Sequence, residues 1–222
     1  MAKYMIHSCN QRKWYVDKYL VPSMLEQNID EEDILIYLDS SNDGCLQSFI
    51  NSIQNLSEEG DTWHLQDDVL VCSDFKVKTE QLYEAELVCG FASKYDAEAA
   101  IPGVQFGIDN IWFSFPCIRI SNSILKHFAI WFSSYVQNDN RFKSWITMRK
   151  HDDLLFRYFV QNYYKDIKGL NVAPNLVEHV DWLIGESIVN RGRDSCIRSL
   201  YWNEEYLVNS LKKKLSKSVD ER

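Results

Sequence analysis

TWHLQDDVLVCSDF, residues Thr62 to Phe75, sets two adjacent carboxylates, Asp67 and Asp68, between two apolar runs. Like charges a few ångströms apart repel, and each loses hydration if the chain around it is buried. Two readings meet these constraints: a solvated turn between strands, or a pair that shares a cation. The segments on either side decide how much weight the second can bear.

Upstream, the chain repeats a strand, loop and helix pattern. Tyr4 to Cys9 (YMIHSC) is a short apolar run, and a helix-like stretch follows NQRKW as far as about Gln27, with Pro22 expected to kink or divide it. Asp33 to Asp39 (DILIYLD) is a second strand that ends in the turn cluster SSNDG. After it, Leu46, Phe49, Ile50, Ile53 and Leu56 recur at helical spacing. Thr62 to Leu65 forms the third strand, and ELVCGF, within Leu82 to Phe91, is a fourth after a short helix. Strands separated by helices predict an α/β domain with a mostly parallel central sheet and flanking helices.

In such sheets the ligand crevice lies beyond the carboxyl ends of the strands. Those ends carry His7, Ser8, Asn10 and Arg12 after the first strand, Asp39 and Asp43 after the second, and Asp67 with Asp68 after the third. Polar and charged groups from three segments therefore converge on one edge. The chain has neither GxGxxG nor GxxxxGK[ST], which disfavours a Rossmann dinucleotide site and a P-loop.

The second half changes character. Asp109 to Asn122 (DNIWFSFPCIRISN) reads as one or two strands outside the parallel order, and Ser123 to Gln137 as a helix whose Leu125, Phe128, Trp131, Phe132 and Tyr135 face the core. Asp152 and Asp153 open a strongly apolar helix, where one carboxylate suffices to cap free backbone N–H groups and the second is left for another role. LNVAPNLVEHV then runs from a strand through Pro174 to His179, flanked by Glu178 and Asp181. The charged tail KKKLSKSVDER is expected to fray.

With 222 residues, 45% of them hydrophobic and 14% aromatic, the chain can bury the core of one good-sized domain. The six cysteines are scattered without a CxxC pair and read as reduced thiols. No leader pattern opens the chain and no apolar run approaches the roughly 20 residues a spanning helix needs, so a soluble, cytoplasmic protein is expected. A net charge of −8 argues against wholesale nucleic-acid binding, although it leaves room for a local basic groove.

Over about Tyr4 to Asn190 the order and context of these motifs resemble the nucleotide-sugar glycosyltransferases of the GT-A fold. That family ends its third strand in an acidic metal-binding motif, DxD or LEDDV, and here the stretch is Leu65-Gln66-Asp67-Asp68-Val69. Gln66 stands where Glu is usual, a departure that touches any ribose contact at that position. The resemblance implies Mn²⁺ or Mg²⁺ held by Asp68 and His179, with Asp67 facing the ribose, the sugar or the metal through water. It implies a nucleotide-sugar donor, expected to be a UDP-sugar, contacted by Ser8, Asn10, Arg12 and Asp39, with Arg191 and Arg193 as a clamp over the diphosphate. A turn-capping role for Asp39 beside Ser40 and Ser41 stays open, as does a solvated basic loop for the two arginines. Of the later acidic pair, Asp153 is expected to be the catalytic base and Asp152 the helix cap.

The compact FSFPCIRISN and PNLVEHVDWLIG segments are similar to small glycosyltransferases encoded by phages, some of which act on hydroxymethylated pyrimidines in DNA. On that likeness DNA is the first expected acceptor, with Trp112, Phe113 or Phe115 stacking an extruded base. Arg12, Lys13, Arg149, Lys150, Arg191 and Arg193 would then form a positive rim. A saccharide acceptor is the alternative, and a non-catalytic GT-A binding module the third reading. The expected division is a domain over 1–202, with a nucleotide-binding half (1–91) and an acceptor half (92–202), followed by a C-terminal helix and tail over 203–222.

Overall fold

The computed structural model describes residues 3–82, 85–93, 105–107, 115–143, 152–185 and 198–220. Its strands are β1 (Lys3–Cys9), β2 (Ile34–Asp39), β3 (Asp61–Gln66), β4 (Val69–Val71), β5 (Leu87–Cys89), β6 (Gln105–Gly107), β7 (Cys117–Ser121), β8 (Lys168–Asn171) and β9 (Val177–His179). Seven of them form one sheet in the order β2-β1-β3-β7-β5-β8-β6, while β4 and β9 make a separate two-stranded ribbon. The pairings orient β1, β2, β3, β5 and β8 one way and only β6 and β7 the other. The sheet is therefore mostly parallel, as the alternation of strands and helices predicts.

Alternation along each strand splits the core in two. On β1, Met5 joins one apolar cluster, with Leu46, Phe49 and Ile50 of the helix Cys45–Ile53 and Phe156 and Phe159 of the helix Asp152–Tyr163. Tyr4 and Ile6 join the other, with Tyr15, Val16, Leu20 and Met24. Helices thus cover both faces, which is why neighbouring strand residues are both buried. The segment around Pro22 is divided as expected: Lys13–Tyr15 is α-helical, Val16–Leu20 is a π-helical turn, and Val21–Leu25 resumes the α-helix. Proline brings no N–H to the ladder, and the wider turn just before it accommodates that gap.

The antiparallel strand expected in the second half is β7, wedged between β3 and β5. Phe115 is only 6% exposed and packs at 4.8 Å from Phe49, so it is a core residue rather than a stacking platform. Trp112 and Phe113 lie outside the described residues. The fraying expected for the tail from Lys212 gives way to helix as far as Asp220, the continuation of a helix anchored by buried Val208 and Leu211, with Leu215 of the tail packed against the same apolar cluster. Among the described residues, Cys72, Cys89 and Cys117 are buried free thiols and Cys9 and Cys45 partly exposed ones. No described helix is long and apolar enough to cross a membrane.

Candidate active site

β1 and β3 run parallel and side by side, so the loops that follow them emerge at the same edge. Asp67 and Asp68 form the turn between β3 and β4, and the turn is not solvated: they are 7% and 5% exposed. Burial of two adjacent carboxylates requires partners, and the first loop and the ribbon supply them. The Cys9 backbone N–H donates to Asp67 Oδ2 at 3.0 Å, and the Cys9 thiol lies 3.6 Å from the same oxygen. Arg12 Nη1 donates to Asp67 Oδ1 at 3.2 Å and also contacts Asp68 Oδ2.

The ribbon brings the other end of the chain. Val69 pairs with His179, and Val180 N–H donates to the Asp68 carbonyl at 2.8 Å, so the two segments are zipped together beside the acidic turn. His179 Nε2 then stands 3.1 Å from Asp68 Oδ2, while its Nδ1 stands 3.3 Å from Asp181 Oδ1. Burial disfavours a charged imidazole, but Asp68 and Asp181 outweigh it and raise His179 to about 9. Burial and the charge of Asp68 push Asp67 up to about 6, against the pull of Arg12. For Asp68 burial works the same way, yet His179 and Arg12 overcome it and hold the carboxyl well below the usual range.

Asp68, His179 and Asp181 each offer a ligand atom, all within 4.8 Å of one another. Asp68 Oδ1 is buried and has no hydrogen-bond partner in the structure. An orphaned carboxylate oxygen beside an imidazole and a second carboxylate is a donor set that fits a divalent cation. Asp181 joins this group although the sequence reading gave it no role.

The remaining residues divide. Asp39 is buried, and its two oxygens accept the backbone N–H groups of Asp43 at 3.0 Å and Gly44 at 3.2 Å. It thereby shapes a loop in which Asn42 and Gly44 take φ of 57° and 91°. Asn10 Nδ2 donates to the Ser40 carbonyl at 3.3 Å, linking the first loop to the second. Ser8 is buried, with its hydroxyl 3.4 Å from the Cys9 carbonyl. Asp153 Oδ1 accepts from Leu154 N–H at 2.8 Å at the start of its helix; of Asp152 only the helical backbone is described. Lys13 pairs with Asp17 on the surface. Arg149, Lys150, Arg191 and Arg193 lie outside the described residues.

His64 is a buried strand residue whose Nδ1 lies 2.8 Å from His7 Nε2. Sequence order gave no hint of this pair, because it arises from neighbouring strands. Burial lowers His7 to about 4 and His64 well below its ordinary value.

No family model matches the chain, and no curated protein matches it. Among solved structures it is similar to the galactosyltransferase LgtC, crystallised with donor and acceptor sugar analogues, at 11% identity and a TM-score of 0.41, covering 94% of each chain. It is also similar to HddC from Yersinia pseudotuberculosis, at 13% identity and a TM-score of 0.34, covering 77% of this chain and 70% of that one.

Proposed function

We propose that the chain is a cation-dependent glycosyltransferase of GT-A type that moves a sugar from a nucleoside diphosphate sugar, with UDP as the expected nucleotide, to a hydroxyl acceptor. The observation that carries this reading is the buried group of Asp67, Asp68, His179 and Asp181 beside Arg12, at the carboxyl ends of β1 and β3. Asp68 and His179 would hold Mn²⁺ or Mg²⁺, with Asp181 behind the imidazole. When bound, such an ion supplies positive charge against the diphosphate as the glycosidic bond breaks.

The chain's own residues do the rest. Asp39 fixes the loop that would receive the nucleotide by holding the amides of Asp43 and Gly44. Arg12 presents a guanidinium at the acidic turn, suited to phosphate oxygens. Asp153 is assigned as the base that takes the acceptor's hydroxyl proton, with Asp152 its neighbour in the first turn. The unit over 1–202 would bind the donor with 1–91 and the acceptor with 92–202.

The net charge and the pairing of the two described rim residues are the support for a saccharide over DNA as acceptor. Arg12 is engaged by Asp67 and Asp68, Lys13 by Asp17, and the chain carries a net charge of −8. A screen of nucleotide sugars for slow hydrolysis with Mn²⁺ present tests the donor reading without any acceptor. Turnover of at least one that stops with EDTA is expected; no binding of any nucleotide, with or without metal, would favour a non-catalytic module.

A further inference from the structure

Arg12 occupies an unusual position for a phosphate-binding side chain. Its Nη1 serves both carboxylates of the acidic turn, and the Asp68 oxygen it touches, Oδ2, is the one that faces His179. The side chain is only 11% exposed, so the contact is made away from bulk water. A guanidinium on one oxygen of the Asp68 carboxylate and a divalent cation on the same carboxylate repel each other, and less water means less screening.

We propose that Arg12 is an exchangeable counter-ion: it neutralises Asp67 and Asp68 in the resting protein, is displaced when a divalent cation binds at Asp68, and then serves as the ligand of the donor's diphosphate. The inference rests on the glycosyltransferase reading and assigns this residue a second state within it.

The anchoring of the surrounding groups suits such an exchange. Asp67 keeps its Oδ2 bond to the Cys9 amide whether or not Arg12 is present, so the acidic turn retains its position. The backbone of Arg12 is fixed at the helix start, with its N–H on the Cys9 carbonyl at 3.1 Å and its carbonyl accepting from Tyr15 at 2.9 Å. Only the side chain has to move. A guanidinium leaving two carboxylates has a strong alternative partner in a diphosphate, which offers the same planar pairs of anionic oxygens. The exchange also gives order to binding: ion and nucleotide assist each other, because the ion frees the arginine that the nucleotide needs.

The test is calorimetric titration of the full chain with Mn²⁺ alone, and with UDP at saturating Mn²⁺, for the wild type, Arg12→Gln and Arg12→Lys. Arg12→Gln removes the competing charge, so Mn²⁺ alone should bind tighter, on the order of tenfold, and UDP at saturating Mn²⁺ weaker by a similar factor. Arg12→Lys retains the charge, so Mn²⁺ alone should bind it less tightly than it binds Arg12→Gln. Unchanged or weaker Mn²⁺ binding in Arg12→Gln, or identical behaviour of the two variants, overturns the exchange while leaving the enzyme reading in place. A wild type that binds neither Mn²⁺ nor UDP overturns both. Should Arg12→Gln not fold, Arg12→Met removes the same charge and takes its place: Mn²⁺ bound on the order of tenfold tighter than by the wild type supports the exchange, and unchanged or weaker binding overturns it.

Discussion

His179 stands with its Nε2 3.1 Å from Asp68 Oδ2 and its Nδ1 3.3 Å from Asp181 Oδ1, so a single ring bridges carboxylates from two distant parts of the chain. A carboxylate behind a ligating imidazole fixes the ring's orientation and tautomer. Asp181→Asn should therefore weaken Mn²⁺ binding by about 10- to 100-fold. Asp68→Asn and His179→Gln, which remove proposed ligands, should weaken it further. Titration with Mn²⁺, alongside circular dichroism to confirm the fold, separates these outcomes; unchanged affinity in all three would remove the metal assignment.

The base is a separate question. Asp152 and Asp153 are consecutive at the start of a helix, where successive positions are about 100° apart, so one proton is assigned to one of them. Asp153→Asn should lower transfer by a factor on the order of 10² to 10⁴ with donor affinity nearly unchanged. Steady-state kinetics beside a binding titration reads both quantities. The same pattern in Asp152→Asn alone would exchange the two roles.

The buried pair of His7 and His64 predicts acid sensitivity. Both are held below the ordinary 6.5, His7 at about 4, so on acidification the unfolded chain takes up protons before the folded one does. Their contribution is intact above 6.5 and is lost as pH falls from there towards 4. Asp67, raised to about 6 from 3.8, and His179, raised to about 9, run the other way as pH falls from 7 to 5 and offset part of that loss. Urea midpoints at pH 7 and pH 5 should differ, with the protein weaker at pH 5, and His64→Leu should reduce the difference.

How much of this was legible beforehand follows from the range of each signal. β1 to β3 and the helix Cys45–Ile53 announce themselves in local spacing, and Asp67 and Asp68 stand out because no strand interior tolerates such a pair. The partners of that pair are set by tertiary contacts. Arg12 reads as a loop cation until β1 and β3 are laid side by side, and Asp181 reads only as a flank of His179 until the ring's Nδ1 is seen 3.3 Å from it. The insertion of β7 between β3 and β5 is likewise invisible locally, since an antiparallel strand has the same composition wherever it enters the sheet.

Gly90 offers a stability test close to the site. Its N–H donates to the Cys117 carbonyl at 2.9 Å and its carbonyl accepts from Leu176 at 2.7 Å, joining β7 to the approach to β9. A Cβ there would lie 2.7 Å from Cys117 Sγ and 3.0 Å from Leu176 Cδ1. Gly90→Ala should cost about 1–3 kcal/mol, measured as a lower urea midpoint with an unchanged slope. A wild-type midpoint would mean that β7 and the Leu176 segment can part without loss.

The ribbon of β4 and β9 hydrogen-bonds within itself rather than with the seven-stranded sheet, yet it carries His179 and adjoins Asp68. Its Val69, Val71, Val177 and Val180 are buried in the same apolar cluster as Ile6 and Leu65 of the sheet, and an ion held across it would oppose any opening of the ribbon. Amide exchange at Cys72 and Val180, whose N–H groups bond across the ribbon to the Leu176 and Asp68 carbonyls, therefore reports occupancy of the site: slowing there, with β1 and β3 unaffected, is the signature of a ligand that closes the ribbon without remodelling the protein.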